Sequence, residues 1–164
     1  MIRYLQYTAG LSALLLLGLA SQPDSAHAQR RSGAVGVGGQ IGSPTGLSLK
    51  FYNAGGPSYD ALVAWDLDDF FFLNVHGQFN RSIQTNNVDG LEWFFGPGAF
   101  IGFRDNSDSN NQDDDAVFGI SGRVGLNLVL EQQFEFYAQL TPRISLAPDT
   151  DGDLGGGVGF RYYF

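Results

Sequence analysis

The chain has 164 residues with 17 acidic and 9 basic side chains, and its formal charge of -8 excludes the basic footprint that nucleic-acid binding requires. It has no cysteine, which excludes disulfides, thiolate metal sites and thiol nucleophiles. Its 14 Phe, 7 Tyr and 2 Trp stand beside 23 Gly, a mixture that disfavours helices and suits strands.

Residues 1–28 read as a cleaved signal peptide. Arg3 supplies the positive start, "LSALLLLGLA" (Leu11 to Ala20) the apolar centre, and "AHA" (Ala26 to Ala28) the small-x-small cleavage site before Gln29. The apolar run is too short for a membrane-spanning helix, and without a cysteine the mature chain carries no lipoprotein anchor. Residues 29–164 are then one domain.

Eight alternating segments follow. Ala34 to Gly42 sets Val35, Val37 and Ile41 against Gly36, Gly38 and Gln40, and Gly46 to Tyr52 sets Leu47, Leu49 and Phe51 against Ser48 and Lys50. Tyr59 to Leu67 places Trp65 on one face and Asp60 and Asp66 on the other; Phe71 to Phe79 sets Phe71, Leu73 and Val75 against Phe72, Asn74 and His76. Leu91 to Arg104 carries Trp93, Phe95 and Phe103 opposite Glu92 and Arg104, and Val117 to Leu130 carries Phe118, Ile120 and Val124 opposite Ser121 and Arg123. Phe134 to Ile144 opposes Phe136 and Leu140 to Glu135 and Arg143. The last segment, "GGGVGFRYYF", opposes Val158, Phe160, Tyr162 and Phe164 to Arg161 and Tyr163. A period of two places these sets on opposite faces of strands. Pro97 and Pro142 fall inside segments and should each mark a bulge or local break, because proline cannot donate a ladder hydrogen bond.

One face is apolar and crowded with rings; the other carries Lys50, Asp60, Asp66, Glu92, Arg104, Arg123, Glu135, Arg143 and Arg161 among glycines. A soluble lipocalin-like barrel could turn the apolar face inward, but so many rings overfill a small interior, whereas glycines suit a cramped one. The pattern predicts an all-β fold: an eight-stranded antiparallel up-and-down transmembrane β-barrel, rings to lipid and charges paired in the lumen. The last strand then pairs with the first, so that no edge is left in lipid.

Val158, Phe160, Tyr162 and Phe164 resemble the C-terminal signal read by the barrel-assembly machinery of Gram-negative bacteria. The run Gly-Ser-Pro-Thr-Gly-Leu-Ser-Leu-Lys (Gly42 to Lys50) and "DLGGGVGFRYYF" are similar to the first hairpin and closing strand of a group of small, largely uncharacterised outer-membrane barrel proteins. The resemblance implies the barrel fold and an outer-membrane location, and implies no catalytic residue. Both termini are expected to be periplasmic, as in simple barrels, with the outer surface in contact with lipid and lipopolysaccharide.

Chemistry is sparse. His76, the one histidine after cleavage, lacks the serine two residues along its strand that resembling lipid-modifying barrels carry, and reads as a hydrogen-bonded lumen group. The acidic stretches Asp105 to Asp115 and "DTDGD" (Asp149 to Asp153) lack a full EF-hand ligand pattern and read as solvated acid, so neither metal nor cofactor is expected. Asp105 to Asp115 is the candidate partner contact. The expected function is a monomeric, non-enzymatic envelope protein. The alternatives are a narrow pore for ions or small solutes, a lipid-directed enzyme and a soluble ligand-binding barrel.

Overall fold

A computed structural model describes residues 30–65, 70–85, 89–104 and 115–164. The expected signal peptide, Asp66, most of the acidic stretch after Arg104 and the Arg104 side chain lie outside what it describes.

The described residues form eight strands: β1 (Val35–Ser43), β2 (Gly46–Phe51), β3 (Ser58–Trp65), β4 (Phe70–Ser82), β5 (Leu91–Arg104), β6 (Asp115–Leu130), β7 (Phe134–Ala147) and β8 (Asp151–Tyr163). Each pairs antiparallel with its sequence neighbours, and β8 returns to β1, so the sheet is a closed eight-stranded barrel. The closing seam runs in unbroken register from Gly36 opposite Tyr163 to Ser43 opposite Gly156. Both described chain ends, the segment joining β2 to β3, the one joining β4 to β5 and the β6–β7 turn share one end of the barrel, called here the terminus end.

Alternation decides the two faces. Val37, Leu47, Trp65, Phe71, Trp93, Phe95, Phe118, Phe136 and Val158 are exposed on the outside, while Lys50, Asp60, His76, Glu135 and Arg161 are fully buried inside. Where large side chains turn inward, a neighbouring strand supplies a glycine. A Cβ on Gly159 would lie 2.3 Å from the Tyr137 ring, one on Gly36 2.7 Å from Tyr163, and one on Gly125 2.5 Å from Phe94. The barrel is therefore filled, with Ala64, Phe72 and Phe100 forming an apolar cluster toward the far end.

The prolines interrupt the ladder without shifting it. Pro97 sits opposite Gly122 and Pro142 opposite Leu154 in continuous register, each with its missing donor turned to the other neighbouring strand. There, pairing lapses at Gly77 and Gln78 on β4, and at Gly122 and Arg123 on β6, then resumes in the same frame. The break is found and a bulge is not; the register shift lies at Phe118/Gly119, opposite the stretch Ser145 to Ala147. The fourth, sixth, seventh and eighth strands also run past the expected segments, so Asp151 and Asp153 of the "DTDGD" stretch belong to β8.

The seam gives a sharp test. A Cβ on Gly38 would lie 1.8 Å from the Phe160 carbonyl oxygen, whereas one on Gly39, its outward-facing neighbour, comes no nearer than 3.6 Å to anything. Gly38→Ala is expected to lower stability by about 1–3 kcal/mol through overpacking, and Gly39→Ala to leave it nearly unchanged, as measured by urea unfolding in detergent.

Candidate functional site: the charged lumen

The interior charges form a connected network, built on strands that lie far apart in sequence. Glu135 of β7 is its hub. Its Oε1 accepts from Arg161 Nη1 at 2.6 Å and faces Lys50 Nζ at 3.5 Å; its Oε2 accepts from Arg30 Nη1 at 2.5 Å and from the Tyr163 hydroxyl. Asp60 of β3 is the second hub, accepting from Arg123 through Oδ1 and from Arg161 through Oδ2. Arg161 joins the two carboxylates, donates from Nε to Ser48 Oγ at 2.7 Å, and lies 3.9 Å from the centroid of the Tyr137 ring.

Around this centre the remaining donors are shared out. Lys50 reaches Asn80 Oδ1 at 3.3 Å and Arg123 Nε reaches Thr141 Oγ1 at 3.4 Å. Glu92 accepts from Arg30 and, at 3.2 Å, from Asn127 Nδ2. Toward the far end the character changes: Gln139 Nε2 donates to Gln40 Oε1 at 2.6 Å, and Arg143 packs 5.3 Å from the Phe72 ring centroid while pairing with the largely exposed Asp153.

Of the nine residues expected to share the lumen, Lys50, Asp60, Glu92, Arg123, Glu135 and Arg161 meet in one network. Arg143 is inside but belongs to a separate pair with Asp153. Asp66 and the Arg104 side chain lie outside the described residues. Of the terminal aromatic set, Val158, Phe160 and Phe164 are exposed on the outer face and Tyr162 is half-buried there.

Arg30 is the member sequence reasoning missed. It precedes β1, where no alternation exists to assign it a face, yet its side chain is only 2% exposed and it bridges Glu92 and Glu135. Burial opposes its charge, but Glu135, Tyr163 and Glu92 outweigh burial and raise its pKa above the ordinary arginine value. Tyr163 also joins the network, through its hydroxyl.

A serine does meet His76, from a different strand. Ser121 Oγ lies 3.0 Å from His76 Nε2, because both flank Gly98 of β5. A nucleophile needs its base oriented by a third group, and Asp60, directly across from His76, gives its two oxygens to arginines. Ser121 also donates to Asn74 Oδ1 at 3.2 Å, and both members of the pair are buried. The contact serves the interior hydrogen-bond network. Among the described residues no cluster of three metal-ligating side chains occurs.

Breaking a buried ion pair by removing one partner costs more than the pair contributes, because the remaining charge stays buried. Arg161→Leu strips one partner from both Asp60 and Glu135, and a loss of about 3–5 kcal/mol is expected. Arg143→Leu leaves only the solvated Asp153 unpaired, for which about 1 kcal/mol or less is expected. Equilibrium unfolding of the two variants side by side checks the contrast.

No family model and no curated protein matches the chain. Among solved structures it is similar to the N-terminal β-barrel domain of Pseudomonas aeruginosa OprF, with a TM-score of 0.57 and 18% identity over 80% of this chain and 96% of that one. At this identity the likeness speaks for the fold, a closed eight-stranded antiparallel barrel.

Proposed function

We propose that the protein is an integral outer-membrane β-barrel, non-enzymatic and monomeric, that contributes to envelope structure or surface contact, its lumen sealed by the charge network. The observation that carries this is the inversion of the two faces: bulky apolar side chains cover the outside, and ionised groups fill the inside. A soluble barrel gains its stability by turning rings such as Trp65, Trp93, Phe95 and Phe136 inward, and leaving them in water forfeits about 1.5–3 kcal/mol each. Hydrocarbon removes that cost, and a closed sheet leaves no unpaired backbone edge in it.

Ring contacts on the outer face fit lipid contact: Phe79 stacks on Phe95 at 5.7 Å and Trp93 on Phe95 at 5.2 Å, and Phe136 meets Phe160 in a tilted pair at 5.2 Å. The exposed Val158, Phe160 and Phe164, with Tyr162, suit recognition by the barrel-assembly machinery, and the outer surface suits lipid and lipopolysaccharide. In this reading both termini are periplasmic and the far end meets the cell exterior.

A narrow pore is the second reading, favoured by buried polar atoms with no protein partner: Arg123 Nη2 and both amide atoms of Gln78. Such groups call for water or a small solute. Against continuous conduction, the chain of ion pairs linking Arg123, Asp60, Arg161, Glu135 and Lys50 spans the interior from β6 through β3, β8 and β7 to β2.

Expression in a Gram-negative host should place the protein in the outer-membrane fraction with heat-modifiable gel mobility, and the purified barrel should show no step conductance in planar bilayers. Recovery in a soluble fraction would overturn the membrane reading, and steady single-channel steps would favour the pore. His76→Ala should leave the host's lipid composition unchanged; an altered lipid profile would point instead to an enzyme.

A further inference from the structure

The described hydrogen bonds of Arg30 are all made by its side chain, while backbone bonds hold the arm from Arg31 to Ala34. The arm ahead of β1 is tied to Tyr52 by two backbone bonds, Gly33 N to Tyr52 O at 2.8 Å and Tyr52 N to Ala34 O at 2.9 Å, by a local bond from Ala34 N to Arg31 O at 3.0 Å, and through Ser32 Oγ, which donates to Asn53 Oδ1 at 3.2 Å and accepts from Ala54 N at 3.2 Å. Arg31, Ser32 and Gly33 are exposed. The groups that receive the Arg30 head are by contrast anchored in the barrel: Glu92 on β5, Glu135 on β7, Tyr163 on β8, and Tyr52 directly after β2.

Those four groups fit a planar cation. Two carboxylates take the two terminal nitrogens, Nη2 to Glu92 and Nη1 to Glu135, and Nη1 also donates to the Tyr163 hydroxyl at 3.2 Å. The Tyr52 ring lies 4.3 Å from the guanidinium carbon. Two separated acceptors and an aromatic face select guanidinium over a point-like ammonium. Beyond the cage a vestibule of about 850 Å³ opens at the terminus end, with Arg30, Tyr52 and Glu92 in its wall beside Asp89 and Glu131.

We propose that this mouth of the barrel is a guanidinium-binding cage whose resident ligand is Arg30, and that it accepts a soluble guanidinium compound when the N-terminal arm is withdrawn. The proposal rests on the sealed-lumen reading above. With Arg30 gone, Glu92 keeps Asn127 as its remaining partner among the described contacts, and Glu135 keeps Lys50, Arg161 and Tyr163. The cage then carries an unmet negative charge facing the vestibule. The arm acts as a tethered occupant, competing at high local concentration with any free ligand.

The absence of cysteine allows clean single-thiol reporters. Asn127→Cys places a thiol at a position 1% exposed beside Glu92 and removes that carboxylate's amide partner, so its labelling is compared only between chains that share the substitution; Ser121→Cys places a thiol deeper in the lumen. With Arg30 present, both thiols should react slowly with a charged methanethiosulfonate reagent. Arg30→Ala should accelerate modification of the first by about tenfold or more while the second stays slow, as local opening of one mouth requires. Guanidinium chloride at about 10 mM, suited to the millimolar affinity of one small cation, should restore protection, and sodium chloride at equal concentration should not. In the cysteine-free chain, Arg30→Ala should lower the temperature at which compact gel mobility is lost, and guanidinium alone should recover it, which supplies the answer if a thiol variant does not fold. Unchanged labelling after Arg30→Ala, equal rescue by sodium, or acceleration of both thiols together would overturn the cage. Fast labelling of the Ser121→Cys thiol with Arg30 intact would instead refute the sealed lumen on which it rests.

Discussion

Closure of the sheet between β1 and β8 is the constraint on which the rest depends. Once Gly36 to Ser43 pair with Tyr163 to Gly156, the inner face is separated from whatever surrounds the barrel, and what points inward finds its partners chiefly among other inward groups. Each strand contributes side chains every second residue, so acceptor and donor must arrive from different strands at matching heights. Glu135 and Arg161 do so as direct cross-strand partners, whereas Lys50 and Asp60, opposite each other on β2 and β3, find theirs farther off, Lys50 in Glu135 and Asp60 in Arg123 and Arg161. The same closure explains the interior glycines: a ring such as Tyr137 or Phe94 can turn inward only where the neighbouring strand offers no side chain.

The lumen is layered. The terminus-end half holds the linked ions from Arg30 to Arg123, and the far half holds Ala64, Phe72 and Phe100 with a cation at the rim. A linked ion cluster makes removal of an inner member such as Arg161 expensive, because the charges it orphans are buried away from water. Rigidity of the barrel on this account comes from mutual dependence among a few residues, with Arg161 touching both carboxylate hubs.

Much of this was legible in the sequence. Alternation at period two located all eight strands, and the contrast between ring-rich and glycine-rich faces assigned inside and outside. Which charges actually meet was not legible, because partner choice depends on register between strands: Ser121 meets His76 only through the alignment of β4, β5 and β6 on Gly98. Boundaries were misjudged where strands run on into polar residues, as β4 does through Arg81 and Ser82, since exposure beyond the apolar belt leaves no apolar alternation to read. Pro97 and Pro142 were expected to mark a bulge or local break; each breaks the ladder on one side, and pairing on the other side holds the register. Arg30 was beyond reach, because a side chain ahead of the first strand has no period to place it.

The account's central claim is orientation: apolar side chains outward into acyl chains, ions inward. Trp65 and Trp93, both on the outer face and the only tryptophans in the chain, report on it directly. In vesicles of lipids brominated along their acyl chains, their fluorescence should be strongly quenched, and aqueous iodide should have little effect. Strong quenching by iodide with no response to brominated lipid would contradict the account.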